Sequence, residues 1–123
     1  MGDISRNFSR WEFKCNCTDT ACTFDTVDIE LIDVLEDVRL HFAAKSITIN
    51  SGCRCLLKNM SVGGSKSSQH MQGRAADFVV ERIRPVDVQN YLEAKYPLKY
   101  GIGRYSTFTH VDTRTGGRAR WGD

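Results

Sequence analysis

The sequence predicts an α+β fold in which an antiparallel β-sheet packs against two main helices. One segment repeats apolar residues at helical spacing, and a second helical segment opens with a proline. Several short segments are rich in β-branched residues or bounded by glycines, which is typical of strands. Strands and helices in this order indicate a sheet with its helices against it. With 123 residues, the chain is expected to form one domain over residues 1–123.

The two predicted helices are marked by different signals. The first covers residues 28–43, where the apolar positions at helical spacing are Leu31, Leu35, Val38 and Phe42. The second begins at Pro85, because proline fits the first turn of a helix, and runs to about Lys95. It ends there because Pro97 prevents its continuation.

The predicted strands lie on both sides of the second helix. They cover residues 47–50, 75–80, 100–105, 107–113 and 119–121. Residues 58–67 are rich in glycine and serine and are expected to form a loop. Near the start of the chain, three aromatic residues are expected to pack on the domain, namely Phe8, Trp11 and Phe13.

Composition excludes several classes of protein. A hydrophobic content of 41%, a charged content of 26% and a net charge of +2 describe an ordinary globular domain without a strong field for nucleic acid. No stretch is long and apolar enough for a membrane span. Residues 1–10 lack the apolar segment of a secretory signal, so synthesis in the cytoplasm is expected. The protein is expected to be a monomer.

The stretch from Ser68 to Asp77 combines a histidine and a carboxylate seven positions apart. Asp77 lies in the predicted strand 75–80, where an unpaired charge is costly. Together with His70 it forms a ligand mixture that zinc accepts, and a catalytic zinc usually takes three protein ligands. His110 is the expected third ligand. From these residues alone, a buried His–Asp pair with an unrelated His110 is an equally good interpretation.

The same stretch matches the signature SxHxxGxAxD at every specified position, which are Ser68, His70, Gly73, Ala75 and Asp77. The later sequence His110-Val111-Asp112 matches as well. On these residues the chain resembles the zinc D-alanyl-D-alanine carboxypeptidase-like peptidases, which are related to the hedgehog signalling domain. The resemblance extends over nearly the whole chain. It implies a hedgehog/DD-peptidase-like fold, a peptidoglycan peptide as substrate, and a zinc cofactor whose ligands are His70, Asp77 and His110.

Asp112 has two candidate roles beside such a metal. It follows His110 by two residues in a predicted strand, so both side chains lie on one face. The carboxylate can act as the base for water at the metal, or it can hydrogen-bond a ligand imidazole and orient it. Several relatives place the catalytic acid three positions before the last ligand, where this chain has Thr107. We predict the base role, with the orienting role as its alternative.

The resemblance also implies three residues that contact the substrate. Arg54 aligns with an arginine that lies beside the substrate in relatives, although Cys53 replaces the aromatic residue before it. Arg54 is predicted to bind a carboxylate or to stabilise an oxyanion. A solvated surface arginine is the alternative. Ser68 and Gln69 are predicted either to contact the substrate or to hold their loop.

Five cysteines cannot all pair within one chain. They form an early cluster and a later pair, which are Cys15, Cys17 and Cys22, and Cys53 and Cys55. Short spacings suit a structural zinc, but the pattern is not that of a zinc finger. Cysteines of a protein made in the cytoplasm stay reduced. Reduced thiols are therefore the first interpretation, a structural metal the second and disulfides the third.

Two functions follow from the resemblance. The first is a zinc peptidase that cleaves peptide bonds in peptidoglycan stem peptides or cross-links, as a carboxypeptidase or as an endopeptidase of the phage endolysin type. The alternative is a zinc-containing module of the same fold that binds the cell wall without catalysis. A cysteine-rich nucleic-acid module is disfavoured by the low net charge and the irregular cysteine spacing.

Overall fold

The computed structural model describes residues 2–17, 26–64 and 68–122. Its elements in chain order are the 3₁₀ helix η1 (Arg10–Phe13), α1 (Ile29–His41), β1 (Ile47–Ser51), α2 (Leu56–Ser61), the 3₁₀ helix η2 (Gln69–Gln72), β2 (Ala75–Val80), α3 (Pro85–Lys95), β3 (Gly101–Arg104), β4 (Thr109–Asp112) and β5 (Ala119–Gly122). The second predicted helix and the strand 75–80 are confirmed with their predicted bounds. The other predicted elements are confirmed with ends that differ by one or two residues.

The strands form one sheet in the order β1-β2-β4-β3-β5. Three of its strand pairs are antiparallel, but β3 and β5 are parallel. The α+β class is therefore confirmed, while the prediction of a wholly antiparallel sheet is wrong. The reason is that β2 and β3 occupy both edges of β4. The next strand, β5, therefore pairs with the outer edge of β3. Both β3 and β5 run antiparallel to β4, so they are parallel to each other.

The hydrophobic core lies between one face of the sheet and the helices α1 and α3. Its largest members from the helices and the sheet are Leu31, Ile32, Leu35, Val38, Phe78, Val88, Leu92, Ile102 and Val111. Successive side chains of a strand point to opposite faces, so the neighbours of Phe78 and Val111 lie on the other face. Asp77 and His110 are two of these neighbours. Among the described residues, no helix has the length and apolar character needed to cross a bilayer.

Two local predictions need correction. Phe8 and Phe13 are buried as expected, but Trp11 is 75% exposed and does not pack on the domain. Part of the predicted loop 58–67 belongs to α2. Cys55 caps this helix, because its sulfur accepts a hydrogen bond from the main-chain N–H of Lys58. The sequence did not predict this short helix, because the glycine and serine residues that follow it are typical of a loop.

Glu36 of α1 holds the N-terminal segment through its carboxylate. It accepts hydrogen bonds from the main-chain and side-chain N–H groups of Asn7, at 2.9 and 2.6 Å, and from the hydroxyl of Ser5. Burial raises the pKa of Glu36, but these hydrogen bonds and the charge of Arg39 outweigh burial, so the pKa lies below its ordinary value of 4.5. The stabilisation is therefore present above pH 4.5 and is lost as the pH falls through the lowered pKa.

Replacing Glu36 by glutamine is expected to lower the free energy of unfolding by about 1–3 kcal/mol at neutral pH, because charge-assisted hydrogen bonds are lost. Denaturant unfolding of both proteins measures the difference, which should shrink as the pH is lowered toward acid unfolding. Glu81→Gln is the matched control, since Glu81 is exposed and accepts only from the hydroxyl of Ser46 among the described contacts. A difference that does not change with pH would contradict the role of the Glu36 charge.

Candidate metal centre

Three potential ligands converge on the face of the sheet opposite the core. His70 comes from η2, Asp77 from β2 and His110 from β4, and their ligand atoms all lie within 4.8 Å of one another. The pairing of β2 with β4 sets Asp77 directly opposite His110. His70 and His110 are buried, with 4% and 7% exposure. The structure therefore brings together the three residues that the sequence marked as ligands.

His70 is oriented by its main-chain surroundings. Its Nδ1 lies 2.6 Å from the carbonyl oxygen of Gly52. A carbonyl oxygen only accepts, so Nδ1 carries the proton and donates it. The other ring nitrogen, Nε2, is the one that faces the proposed ligand Asp77, and it lies 3.4 Å from Oδ1 of that residue. The hydroxyl of Ser68 accepts from the main-chain N–H of His70 and caps the turn.

Gly73 ends the turn that carries His70. It adopts a left-handed conformation with φ of 69°, which favours glycine. A Cβ at this position would lie 2.5 Å from the carbonyl oxygen of Thr26. Glycine is therefore favoured here for two reasons, the left-handed backbone conformation and the close approach of Thr26. The turn leads into β2 in the direction that places Asp77 beside His70.

Asp77 stands between the two histidines and an arginine. Its Oδ1 lies 2.8 Å from Nδ1 of His110, and its Oδ2 lies 3.5 Å from the guanidinium of Arg54. Burial raises the pKa of Asp77, but the hydrogen bonds of His110 and His70 outweigh burial and hold the pKa well below its ordinary range. The carboxylate is therefore ionised at neutral pH, as a metal ligand must be.

His110 bridges two carboxylates. Its Nδ1 faces Asp77, and its Nε2 lies 2.7 Å from Oδ2 of Asp112. Burial lowers the pKa of His110, but Asp112 and Asp77 outweigh it, so the pKa is raised. Nδ1 is thus the ring nitrogen on the side of His70 and Asp77, while Nε2 is directed at Asp112.

Asp112 is fully buried, and both of its carboxylate oxygens take part in hydrogen bonds within the protein. Oδ1 accepts from the main-chain N–H of Gly101 at 3.1 Å and from Nε of Arg114 at 2.7 Å. Oδ2 accepts from Arg114 at 2.8 Å and faces His110. Burial raises the pKa of Asp112, but Arg114 and His110 outweigh it, and the pKa lies well below its ordinary range. A general base needs a free lone pair beside water, so this geometry favours the orienting role over the predicted base role.

The space for Asp112 depends on the strand beside it. Gly101 of β3 is paired with Asp112 in the sheet. A Cβ on Gly101 would lie 2.4 Å from Oδ2 of Asp112. The carboxylate therefore occupies the volume that a side chain at position 101 would fill.

A cavity of about 460 Å³ opens over the three potential ligands. Its further lining residues are Arg54, Ser68, Gln69, Tyr105, Phe108, Asp112, Arg114 and Trp121. All three residues predicted to contact substrate are thus at the cavity. The alternative of a solvated surface Arg54 is wrong, because its side chain is only 16% exposed.

Sequence reasoning did not assign Tyr105, Phe108 or Arg114 to the site. Tyr105 and Phe108 stack with ring centroids 4.4 Å apart, and they lie between β3 and β4, where no sequence pattern marks them. Arg114 could have been found, because it follows Asp112 by two residues, just as Asp112 follows His110. The hydroxyl of Tyr105 accepts from Nε1 of Trp121 at 2.9 Å, so its own proton is available to a ligand in the cavity.

The α+β fold and the cluster of two histidines and one carboxylate are those of a candidate metallohydrolase. A family model described as Peptidase M15 matches residues 6–112, and the chain belongs to the peptidase M15 family. The resemblance stated from the sequence is thereby confirmed. Members of this family are metallopeptidases, usually with zinc. Searches for a similar curated protein and for a similar solved structure gave no match.

Proposed function

We propose that the protein is a zinc peptidase that hydrolyses a peptide bond in the stem peptides or cross-links of peptidoglycan. The observation that carries the proposal is the convergence of His70, Asp77 and His110 within 4.8 Å in a chain of the peptidase M15 family. The proposed place of action is the cell wall, in phage lysis or in bacterial remodelling.

The donor set fits zinc. Two imidazoles and one carboxylate form a common ligand set of catalytic zinc, which keeps a further position open. His70 Nε2, an oxygen of Asp77 and His110 Nδ1 would hold the ion, and the ring nitrogen of each histidine that faces away has a hydrogen-bond partner in Gly52 or Asp112. When bound, zinc supplies Lewis acidity that polarises a carbonyl group and makes water a better nucleophile at neutral pH.

The cavity residues have defined tasks in this proposal. The guanidinium of Arg54 is partly buried beside Asp77 and can pair with a carboxylate of the substrate. Tyr105 can donate its hydroxyl proton to a carbonyl oxygen of the substrate, because its oxygen accepts from Trp121. Asp112 and Arg114 keep the His110 ring in one orientation. Ser68 and Gln69 form the rim next to His70.

One observation favours the second candidate, a zinc-containing module that binds the cell wall without catalysis. Among the described residues that line the cavity, the carboxylates are Asp77 and Asp112. The first is at the proposed metal, and the second is saturated by hydrogen bonds. Glu12, a carboxylate of the N-terminal segment, accepts a hydrogen bond from the main-chain N–H of Ser9 and does not line the cavity. The described residues that line the cavity therefore include no available carboxylate that could accept a proton from water during catalysis.

Incubation with purified peptidoglycan separates the two candidates. A peptidase is expected to release new amino groups and muropeptides whose masses identify the bond, with activity removed by a chelator and restored by zinc. Product masses that lack one D-alanine would identify a carboxypeptidase, and shortened cross-linked species an endopeptidase. Zinc-dependent binding to peptidoglycan without any new amine would identify the binding module. If the zinc-loaded protein neither cleaves nor binds peptidoglycan, both candidate functions are wrong.

A further inference from the structure

His70, Asp77 and His110 are called the His70 centre below. A second cluster of potential metal ligands shares no residue with it. The sulfur atoms of Cys15, Cys17 and Cys55 all lie within 4.8 Å of one another. Cys15 is buried and the other two are partly buried. These three residues and Cys53 form no disulfide, while Cys22 lies outside the described residues. Two members follow η1 and the third precedes α2, so the fold rather than sequence spacing brings them together.

Main-chain N–H groups donate hydrogen bonds to two of these sulfur atoms. The N–H of Cys55 donates to the sulfur of Cys15 at 3.3 Å, and the N–H of Lys58 donates to the sulfur of Cys55 at 3.5 Å. Such donors stabilise a negative sulfur. Burial raises the pKa of the Cys15 thiol, but hydrogen bonds with the main chain of Cys55 and Cys17 outweigh burial and lower it to about 7.

We propose that Cys15, Cys17 and Cys55 bind a second, structural metal ion, and that this ion is zinc. Thiolates are soft ligands that select zinc among the common divalent ions. Three thiolates at this separation repel one another unless a cation lies between them. The proposal does not rest on peptidase activity, because it concerns separate residues and would hold for the binding module as well.

The proposed ion lies beside the loop that supports the His70 centre. Cys55 directly follows Arg54, and Gly52 in the same loop accepts from the ring of His70. The main chain of Arg54 also donates to the carbonyl oxygen of His70 at 2.9 Å. On the other side of the loop, the main-chain N–H of Cys53 donates to the carbonyl oxygen of Phe13 at 2.9 Å. An ion between Cys15, Cys17 and Cys55 would therefore fix the N-terminal segment to the loop that orients His70.

Titration with Co²⁺ tests the proposal directly. The full chain is made in a reducing host, stripped by a chelator with reductant present, and then titrated. Cobalt bound to cysteine is expected to give thiolate-to-metal charge-transfer absorption in the near ultraviolet, which imidazole and carboxylate ligands do not give. Elemental analysis of the protein before stripping should find about two zinc ions per chain, one for each site.

Matched variants assign the absorption to the cluster. Cys55→Ser is suited to this purpose, because serine is a preferred helix cap and should keep α2 in place. It and Cys17→Ala should each weaken the absorption and lower the zinc content to about one ion per chain. His110→Ala should keep the absorption. Cys53→Ala, which changes a buried cysteine outside the cluster, should keep both the absorption and the second ion.

Three results would overturn the proposal. The first is the absence of charge-transfer absorption in the wild-type protein when its thiols are reduced. The second is equal absorption in the wild-type protein, Cys17→Ala and Cys55→Ser. The third is a disulfide that joins Cys15 to Cys17 or Cys55 in freshly isolated protein.

Discussion

If the proposed function is right, replacing His110 by alanine is expected to abolish zinc binding at the His70 centre and to lower turnover of peptidoglycan by at least about 1,000-fold. A catalytic metal contributes several kcal/mol of transition-state stabilisation, and each 1.36 kcal/mol corresponds to about a tenfold change in rate. The substitution removes the ligand between Asp77 and Asp112 and leaves two carboxylates without their shared partner. Zinc content by elemental analysis and amine release from peptidoglycan measure the two effects.

His41→Ala is the matched control for this substitution. His41 ends α1, is exposed, and stacks on Tyr91 with ring centroids 3.7 Å apart. Its removal should leave zinc content and turnover unchanged. If His110→Ala retains as much zinc as His41→Ala after the thiols have been blocked, His110 is not a ligand. Blocking the thiols first excludes the ion proposed at the cysteines from this comparison.

Replacing Asp112 by asparagine should weaken zinc binding by about 10–100-fold, the usual effect of removing a group that orients a ligand histidine. Activity should return when zinc is added in excess. The two oxygens of Asp112 accept from Gly101, Arg114 and His110, so the amide of asparagine must direct N–H groups at one of these donors. The free energy of unfolding should therefore also fall, by about 1–3 kcal/mol.

The base role for Asp112 predicts a different result. A lost base leaves zinc bound but lowers turnover by about two to four orders of magnitude, without rescue by excess zinc. Zinc titration and turnover on the same sample therefore distinguish the two roles. Asp87→Asn is the matched control, since Asp87 pairs with Arg84 on the exposed surface of α3, where such a pair contributes at most about 1 kcal/mol. Loss of turnover in fully zinc-loaded Asp112→Asn would contradict the orienting role.

The proposed ligands and the main elements could be predicted from the sequence because local rules decide them. The proline at position 85 and the apolar spacing of α1 determine where these helices lie. The alternation of a strand places Asp112 beside His110 before any partner strand is known. The signature SxHxxGxAxD likewise describes one local unit, a turn that carries His70 and ends at a left-handed Gly73 before the strand with Asp77.

Only the tertiary structure decided how separate segments meet. The parallel pairing of β5 with β3 follows from which strand edges are free, and strand edges are not a property of any one segment. The hydrogen bonds of Asp112 come from Gly101 and Arg114 in addition to His110, and they favour the orienting role over the base role that the sequence predicted. The three cysteines converge because the N-terminal segment packs on the loop before α2, about 40 residues later in the chain. Contacts at such separations are determined by packing of the whole domain, which sequence spacing does not record.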